Sequence, residues 1–72
     1  MRNKVKEFRE KANMTQEQLA KKLGVSRQTI ISIEADRYNP SLILAFKIAS
    51  AFDRLIEDVF DFSEVKGEIE HE

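Results

Sequence analysis

The sequence predicts an all-α fold of five short helices, with a short β segment at the C-terminus as an open alternative. Apolar residues recur at the three- and four-residue spacing of a helix face along most of the chain. Capping and turn residues, such as Thr15, Gly24 and Ser26, stand between these periodic stretches.

The first two helices have defined starts. Asn3 is a candidate cap for a first helix that extends to about Ala12. The second helix follows Thr15, and Gln18 stands three residues later, as in a capping box in which each side chain bonds the other residue's backbone N–H. These local signals predict a helix that begins at Gln16.

Residues 16–35 hold two helical patterns separated by Gly24 and Val25. Such a short turn, with a Gly that adopts positive φ at low cost, makes the two helices cross at a steep angle. Ser26 is the expected cap of the later helix. One face of each helix is apolar, and the other face of the later helix carries hydrogen-bonding groups at Arg27, Gln28 and Ser32. This is the chemistry that reads base edges in DNA.

Two more helices complete the predicted core. The fourth begins at Pro40 or Ser41 and continues to about Phe52, and its broad apolar face closes the core. The fifth is short and extends from Leu55 to Phe60. We therefore expect one domain over residues 1–60 and an acidic C-terminal tail over residues 61–72.

Composition excludes several classes of function. The chain has no Cys and a single His, His71, so a disulfide framework, a thiolate nucleophile and a zinc site are not expected. No carboxylate pair, phosphate-binding Gly loop or metal cluster is evident, which argues against an enzyme or a cofactor. No segment has the length of a signal peptide or a membrane span, so we expect a soluble, cytoplasmic protein.

Charge is distributed unevenly along the chain. Residues 1–54 carry eleven Lys and Arg against six Asp and Glu, a net charge of +5, whereas residues 55–72 carry one Lys against seven acids, a net charge of −6. The basic part includes residues 16–35, which suits a surface that faces phosphates. Charge alone favours a solvated helical protein with an acidic tail.

Residues 16–35 resemble the helix-turn-helix of the Cro/cI-type phage-repressor family, also called the xenobiotic-response-element (XRE) family. The resemblance rests on Leu19, Ala20, Leu23, Gly24, Val25, Ile30 and Ile33. It extends to about Phe60 through Arg9, through Asn39, Pro40 and Ser41, and through the run LAFKIASAF. It implies a lambda-repressor-like domain that binds double-stranded DNA.

The resemblance implies a set of DNA contacts from the helix-turn-helix and the loop after it. Gln28 suits adenine, whereas Arg27 suits either guanine or the DNA backbone. The expected base contacts are Arg27, Gln28, Thr29 and Ser32, although a solvent-facing role stays open for the last two. The expected phosphate contacts are Gln16, Ser26, Arg37, Tyr38 and Asn39. Tyr38 has a core role as its alternative, and Gln16 an ordinary polar role at the helix start. The capping role of Ser26 is compatible with a phosphate contact from the same hydroxyl.

The resemblance also implies a structural ion pair between Arg9 and Glu34, with a phosphate contact as the alternative for Arg9. Asp36 stands where many members have Gly, and Asp tolerates the left-handed conformation better than most residues.

The tail leaves two structural alternatives. Apolar residues alternate with acids after Phe60, which predicts either a short strand or hairpin that turns at Lys66 and Gly67, or a frayed end. The apolar residues of this region exceed what five short helices need to cover themselves. We therefore predict a homodimer interface here, formed by Ile56, Val59, Phe60 and Phe62, with the tail as a possible dimerisation strand.

The predicted function is that of a transcriptional regulator, most simply a repressor, that binds a palindromic operator as a homodimer. The alternative is an antitoxin or adaptor module whose main role is to bind a partner protein. No metal, small-molecule ligand or membrane is expected as a partner.

Overall fold

The computed structural model describes residues 1–70 of the chain, and within them it contains six helices. They are α1 (Val5–Lys11), α2 (Gln16–Leu23), α3 (Arg27–Glu34), α4 (Leu42–Ala51), α5 (Ile56–Val59) and α6 (Ser63–Glu70). The first five match the predicted helices in order and in approximate extent. The sixth was not predicted.

The capping box at the start of α2 forms as predicted. Thr15 Oγ1 accepts a hydrogen bond from the Gln18 backbone N–H at 3.0 Å, and Gln18 Oε1 accepts one from the Thr15 backbone N–H at 2.8 Å. At its other end α2 stops at Gly24, which has a φ of +72°. A side chain is strained in this left-handed conformation, so glycine suits the turn.

Three other helix-terminal turns use residues other than glycine at positive φ. They are Asn13 after α1, Asp36 after α3 and Asp53 after α4, with φ values of 56°, 59° and 55°. Asn and Asp are the non-glycine residues that enter this region most readily. Asp36 therefore adopts at the end of α3 the left-handed conformation that the family resemblance implies.

The start of α1 differs from its prediction. Asn3 is not the N-cap, because that position belongs to Lys4, whose side chain makes no capping bond. Asn3 instead pairs with Phe60 in an isolated antiparallel bridge. The Lys4 backbone N–H donates to Val59 O at 2.7 Å, so the N-terminal segment is joined to the end of α5.

A small apolar core is formed by residues of helices α1 to α5 and by Phe60. α4 begins after Ser41, whose hydroxyl accepts a hydrogen bond from the Leu44 backbone N–H at 3.1 Å. Helices α2 and α3 pack together, and α4 packs on α2 and α5. The buried apolar residues are Val5, Leu19, Ala20, Ile30, Ile33, Ala45, Ile48, Ala49, Val59 and Phe60.

The predicted β segment in the tail is wrong, because residues 63–70 form α6 and no strand occurs among residues 1–70. Asp61 starts this helix by accepting a hydrogen bond from the Ser63 backbone N–H at 2.9 Å, and Gly67 lies within it. Phe62, Val65 and Ile69 share one face, which is helical spacing rather than strand alternation. The last two residues of the predicted tail lie outside the described part.

Burial changes the interpretation of the predicted dimer interface. Val59 and Phe60 are each only 1% exposed within their own chain. As placed, these two side chains offer no surface to a second copy, because the N-terminal segment and the core already cover them. Ile56 and Phe62 are half-buried and keep some surface.

None of the helices within residues 1–70 has the length and hydrophobicity to cross a membrane.

Candidate nucleic-acid interface

The helix-turn-helix buries one face of each of its helices. Leu19 and Ala20 of α2 meet the core together with Ile30 and Ile33 of α3, and all four are at most 3% exposed. Ala20 is small, which lets two crossing helices approach closely. The opposite face of α3 is left at the surface of the chain.

Ser26 fixes the first turn of α3. Its Oγ accepts a hydrogen bond from the Thr29 backbone N–H at 3.1 Å and lies 2.9 Å from Thr29 Oγ1. Ser26 is thus the N-cap, as predicted. The bond between the two hydroxyls holds the Thr29 side chain toward the helix start, whereas the neighbouring Arg27 and Gln28 are exposed.

The outer face of α3 and the following loop form a shallow, open depression of about 280 Å³. It gathers three of the four predicted base-contact residues and three of the five predicted phosphate-contact residues. Its lining consists of Ser26, Gln28, Thr29, Ser32, Arg37 and Tyr38. Tyr38 is 47% exposed, so its predicted alternative as a core residue does not apply.

Two other predicted contact residues lie beside a neighbouring depression of about 470 Å³. Arg27 and Gln16 line it together with Arg9, Thr15 and Glu17. Asn39, the remaining predicted phosphate contact, is exposed in the loop and lines neither depression. The predicted residues therefore form two adjacent groups, one centred on α3 and one at the start of α2.

Arg9 and Glu34 form an ion pair between α1 and the end of α3. Arg9 Nε lies 2.7 Å from Glu34 Oε2, and Arg9 Nη1 donates a hydrogen bond to Met14 O at 2.8 Å. The hydrogen bond to Glu34 raises the pKa of the Arg9 guanidinium above its ordinary value. Arg9 is only 9% exposed, so it joins α1 to α3 rather than reaching for a phosphate.

Gln16 has a partner within the chain. Its Nε2 donates a hydrogen bond to Glu34 Oε1 at 3.1 Å, so this carboxylate receives bonds from both Gln16 and Arg9. The backbone N–H of Gln16, at the first position of α2, belongs to the group that has no acceptor within an α-helix. A phosphate bound there would use this N–H and the positive end of the helix.

Asn3 supports the end of α3, a role that the sequence does not indicate. Its Nδ2 donates to Ile33 O at 2.8 Å and to Asp36 Oδ1 at 3.0 Å, while its Oδ1 accepts from the Val5 N–H. Asn3 therefore holds the end of α3 and the turn from which Arg37 and Tyr38 extend. No local pattern indicates a contact between residues thirty or more positions apart, and the pattern around Asn3 predicts a helix cap instead.

Within residues 1–70, no group of three or more acidic, His or Cys side chains is arranged to hold a metal ion. The lining of the two depressions instead consists of amides, hydroxyls, the three guanidinium groups of Arg9, Arg27 and Arg37, and the carboxylate of Glu17.

A helix-turn-helix family model matches residues 5–59 of the chain. The chain belongs to the Cro/cI-type (XRE) helix-turn-helix family. An uncharacterized HTH-type transcriptional regulator from Archaeoglobus fulgidus is 59% identical over 64 residues, which cover 89% of this chain and 90% of the relative. Another from Methanocaldococcus jannaschii is 61% identical over 64 residues, 89% of this chain and 97% of the relative.

Among solved structures, the restriction-modification controller protein C.AhdI from Aeromonas hydrophila is similar, with a TM-score of 0.71 at 30% identity. The match covers 78% of this chain and 85% of C.AhdI. The predicted lambda-repressor-like, all-α fold is therefore confirmed, with α6 as an addition. The chain is a transcriptional regulator of this family, with the helix-turn-helix DNA-binding fold.

Proposed function

We propose that this helix-turn-helix regulator binds a specific double-stranded DNA sequence, and that it acts as a repressor by occupying a palindromic operator as a homodimer. The observation that supports this proposal is the clustering of Gln28, Thr29 and Ser32 with Arg37 and Tyr38 on the outer face of α3 and its loop. A B-DNA major groove admits an α-helix, and side chains of this kind discriminate between base edges there.

Base reading rests chiefly on the exposed side chains at the start of α3. Gln28 is exposed, and its amide matches the donor and acceptor pair of adenine N6 and N7. Arg27 is also exposed and has a fork that matches guanine O6 and N7. Ser32 lies one turn beyond Gln28 on the same face and extends the contact along the groove. Thr29 contributes through its methyl group, since its hydroxyl is bonded to Ser26.

Phosphate contacts come from both sides of α3. On one side, Arg37, Tyr38 and Asn39 are all exposed in the loop after the helix. On the other side, the backbone N–H of Gln16 and the hydroxyl of Ser26 stand at the first turns of α2 and α3. Such contacts fix the orientation of a protein on DNA but carry no sequence information themselves.

Specificity requires a second copy, because one α3 spans only a few base pairs. Two recognition helices about 34 Å apart enter successive major grooves of an inverted repeat. Repression then follows sterically where the repeat overlaps a promoter. In this proposal Ile56 and Phe62, which keep exposed area, lie at or near the contact between the copies. No catalytic step forms part of the proposed function.

The proposal is tested by selecting bound duplexes from a random DNA library with the purified protein at near-physiological salt. Enrichment of an inverted repeat with half-sites about one helical turn apart supports it. Enrichment of no sequence, with only weak salt-sensitive binding, contradicts it. Selection with a Gln28→Ala variant provides a second arm, in which information is lost at one base pair of each half-site.

Salt dependence separates the two kinds of contact. An Arg37→Ala variant is expected to weaken binding to specific and random duplexes alike and to reduce the slope of log K against log salt by about 1. The matched control is Arg2→Ala, an exposed arginine in the N-terminal segment outside both depressions. An unchanged slope for Arg37→Ala would remove this residue from the phosphate contacts.

A further inference from the structure

One surface of α4 has an apolar character that DNA binding does not explain. Leu42, Ile43 and Phe46 are 76%, 70% and 64% exposed, and they lie within little more than one helical turn. Contiguous apolar surface of this kind marks a site of association. None of these residues lines either depression of the DNA-binding surface.

Beside Phe46 this surface deepens into a groove of about 380 Å³ between the end of α2 and α4. Leu23, Phe46 and Ala51 supply its apolar lining, and Lys22 and Lys47 supply positive charge. Lys22 and Lys47 are both exposed. The groove therefore suits a partner surface in which apolar groups stand next to negatively charged groups.

The same chain contains a segment with this chemistry. Helix α6 displays Val65 and Ile69 one turn apart, 42% and 67% exposed, as one apolar stripe. Glu64 and Glu68 stand along one edge of that stripe, and both are exposed. The stripe complements the apolar lining of the groove, and the two carboxylates complement its two lysines.

Helix α6 has little support from its own chain. Within residues 1–70 the helices that approach one another closely are α1 to α5, whereas α6 makes at most marginal approaches to any of them. Phe62, just before its first residue, packs against the core. An isolated helix of eight residues is marginal in water, so a surface that covers the stripe also stabilises the helix.

We propose that α6 of one copy binds the groove between α2 and α4 of a second copy. Each chain contributes one helix and one groove, so two chains that exchange their α6 helices form a closed, two-fold pair. This inference rests on the proposed function insofar as it names the contact that joins the two copies on an operator. Phe62, at the base of α6, lies next to this contact, and the outer face of α3 stays free.

Engineered cysteines test the contact without DNA, since the natural chain contains no Cys. A Phe46→Cys variant and an Ile69→Cys variant of different lengths, one carrying a tag, are mixed and mildly oxidised. The proposed exchange gives predominantly the mixed disulfide, because the two positions face each other across the pair. Lys6→Cys, at an exposed position of α1, replaces Phe46→Cys in the control mixture and is expected to form no excess of mixed product.

Sedimentation of single variants gives a second readout. Phe46→Asp and Ile69→Asp alter exposed side chains, and each is expected to raise the dimer dissociation constant about tenfold or more. Lys47→Glu combined with Glu68→Lys is expected to recover affinity that either change alone loses. Circular dichroism confirms that each variant remains folded.

Several outcomes overturn the inference. Disulfides that join only like positions indicate an interface in which α4 meets α4 or α6 meets α6. A natural chain that stays monomeric means that a different partner covers the groove. Selection from the DNA library is scored separately: if it enriches a repeat while the mixed disulfide is absent, this contact alone is refuted. If the mixed disulfide forms without enrichment, the contact stands and the DNA-binding proposal fails.

Discussion

Helices α3 and α6 have the same length of eight residues but opposite relations to the rest of the molecule. α3 buries Ile30 and Ile33 completely, and its last residue, Glu34, accepts bonds from two other parts of the chain. α6 displays Val65 and Ile69 at the surface instead. An apolar stripe of helical spacing therefore does not by itself determine which surface a helix packs against.

The difference has a consequence for function. A helix that reads base edges has to be held in one orientation, because each contact depends on fixed positions of its side chains. α3 is held at its start by Ser26 and at its end by Arg9 and Asn3. α6 is held at its start by Asp61, and its exposed Val65 and Ile69 are available to another surface.

The largest expected effect breaks the support of α3. An Arg9→Ala variant leaves the Glu34 carboxylate largely buried without its cation, and we expect the free energy of unfolding to fall by about 3–5 kcal/mol. Lys11→Ala is the matched control, because Lys11 and Glu7 form an exposed ion pair at 3.6 Å whose loss costs at most about 1 kcal/mol. Urea unfolding followed by circular dichroism measures both. Equal losses would mean that the pair of α1 with α3 is not a distinct support.

Alanine at the two glycines is expected to have opposite effects: it destabilises the turn before α3 and stabilises α6. Gly24→Ala forces a side chain into the left-handed turn before α3, at a cost of about 1–2 kcal/mol. Gly67→Ala lies inside α6, where the gain in helix propensity is up to about 1 kcal/mol. A Cβ at either position meets no atom from elsewhere in the described chain within 4 Å, so clashes with other elements do not obscure the result.

Thermal unfolding measures the Gly24 effect, and amide hydrogen exchange of residues 63–70 measures the Gly67 effect. Loss of stability from both changes would show that residues 63–70 are not helical in solution.

The smallest effect concerns pH and the start of α6. The Ser63 hydroxyl, followed by the Ser63 backbone N–H, lowers the pKa of Asp61 from its ordinary value of 3.8. Since the folded pKa is lowered, the stabilisation is complete above the unfolded value and disappears as the pH falls through the folded value. We expect the NMR shifts of residues 63–70 to change below about pH 4, and an Asp61→Ala variant to show the low-pH shifts at neutral pH. Identical titrations of the variant and the natural chain would contradict this role.

The fold was predictable as far as its signals are local. The capping box of Thr15 and Gln18, the cap at Ser26 and the turn at Gly24 each depend on residues within three or four positions, so the sequence contains them in full. The resemblance to the repressor family supplied the long-range pair of Arg9 with Glu34, which no local pattern indicates. The residues on the outer face of α3 are predicted by local helical spacing together with the family resemblance.

The rest depended on packing across the chain. The local sequence predicts a cap at Asn3, because the bonds of Asn3 to Ile33 and Asp36 span thirty positions or more and leave no local signal. Val59 and Phe60 were assigned to an interface because the bridge from the N-terminal segment that covers them is not encoded nearby. In the tail, apolar residues at positions 60, 62, 65 and 69 fit both a strand and a helix over so short a stretch, and the hydrogen bonds that Ser63 donates to Asp61 are not part of the predicted pattern.

Equilibrium binding of the natural chain and of Gln28→Ala tests the central claim most directly. Both are measured at one salt concentration on the selected duplex and on a duplex changed at the single base pair assigned to Gln28, with Glu10→Gln, at an exposed position of α1 outside both depressions and the groove, as the control. We expect Gln28→Ala to lose about 1–3 kcal/mol of binding free energy on the selected duplex and almost none on the changed duplex. Equal losses on both duplexes would contradict base reading by the outer face of α3.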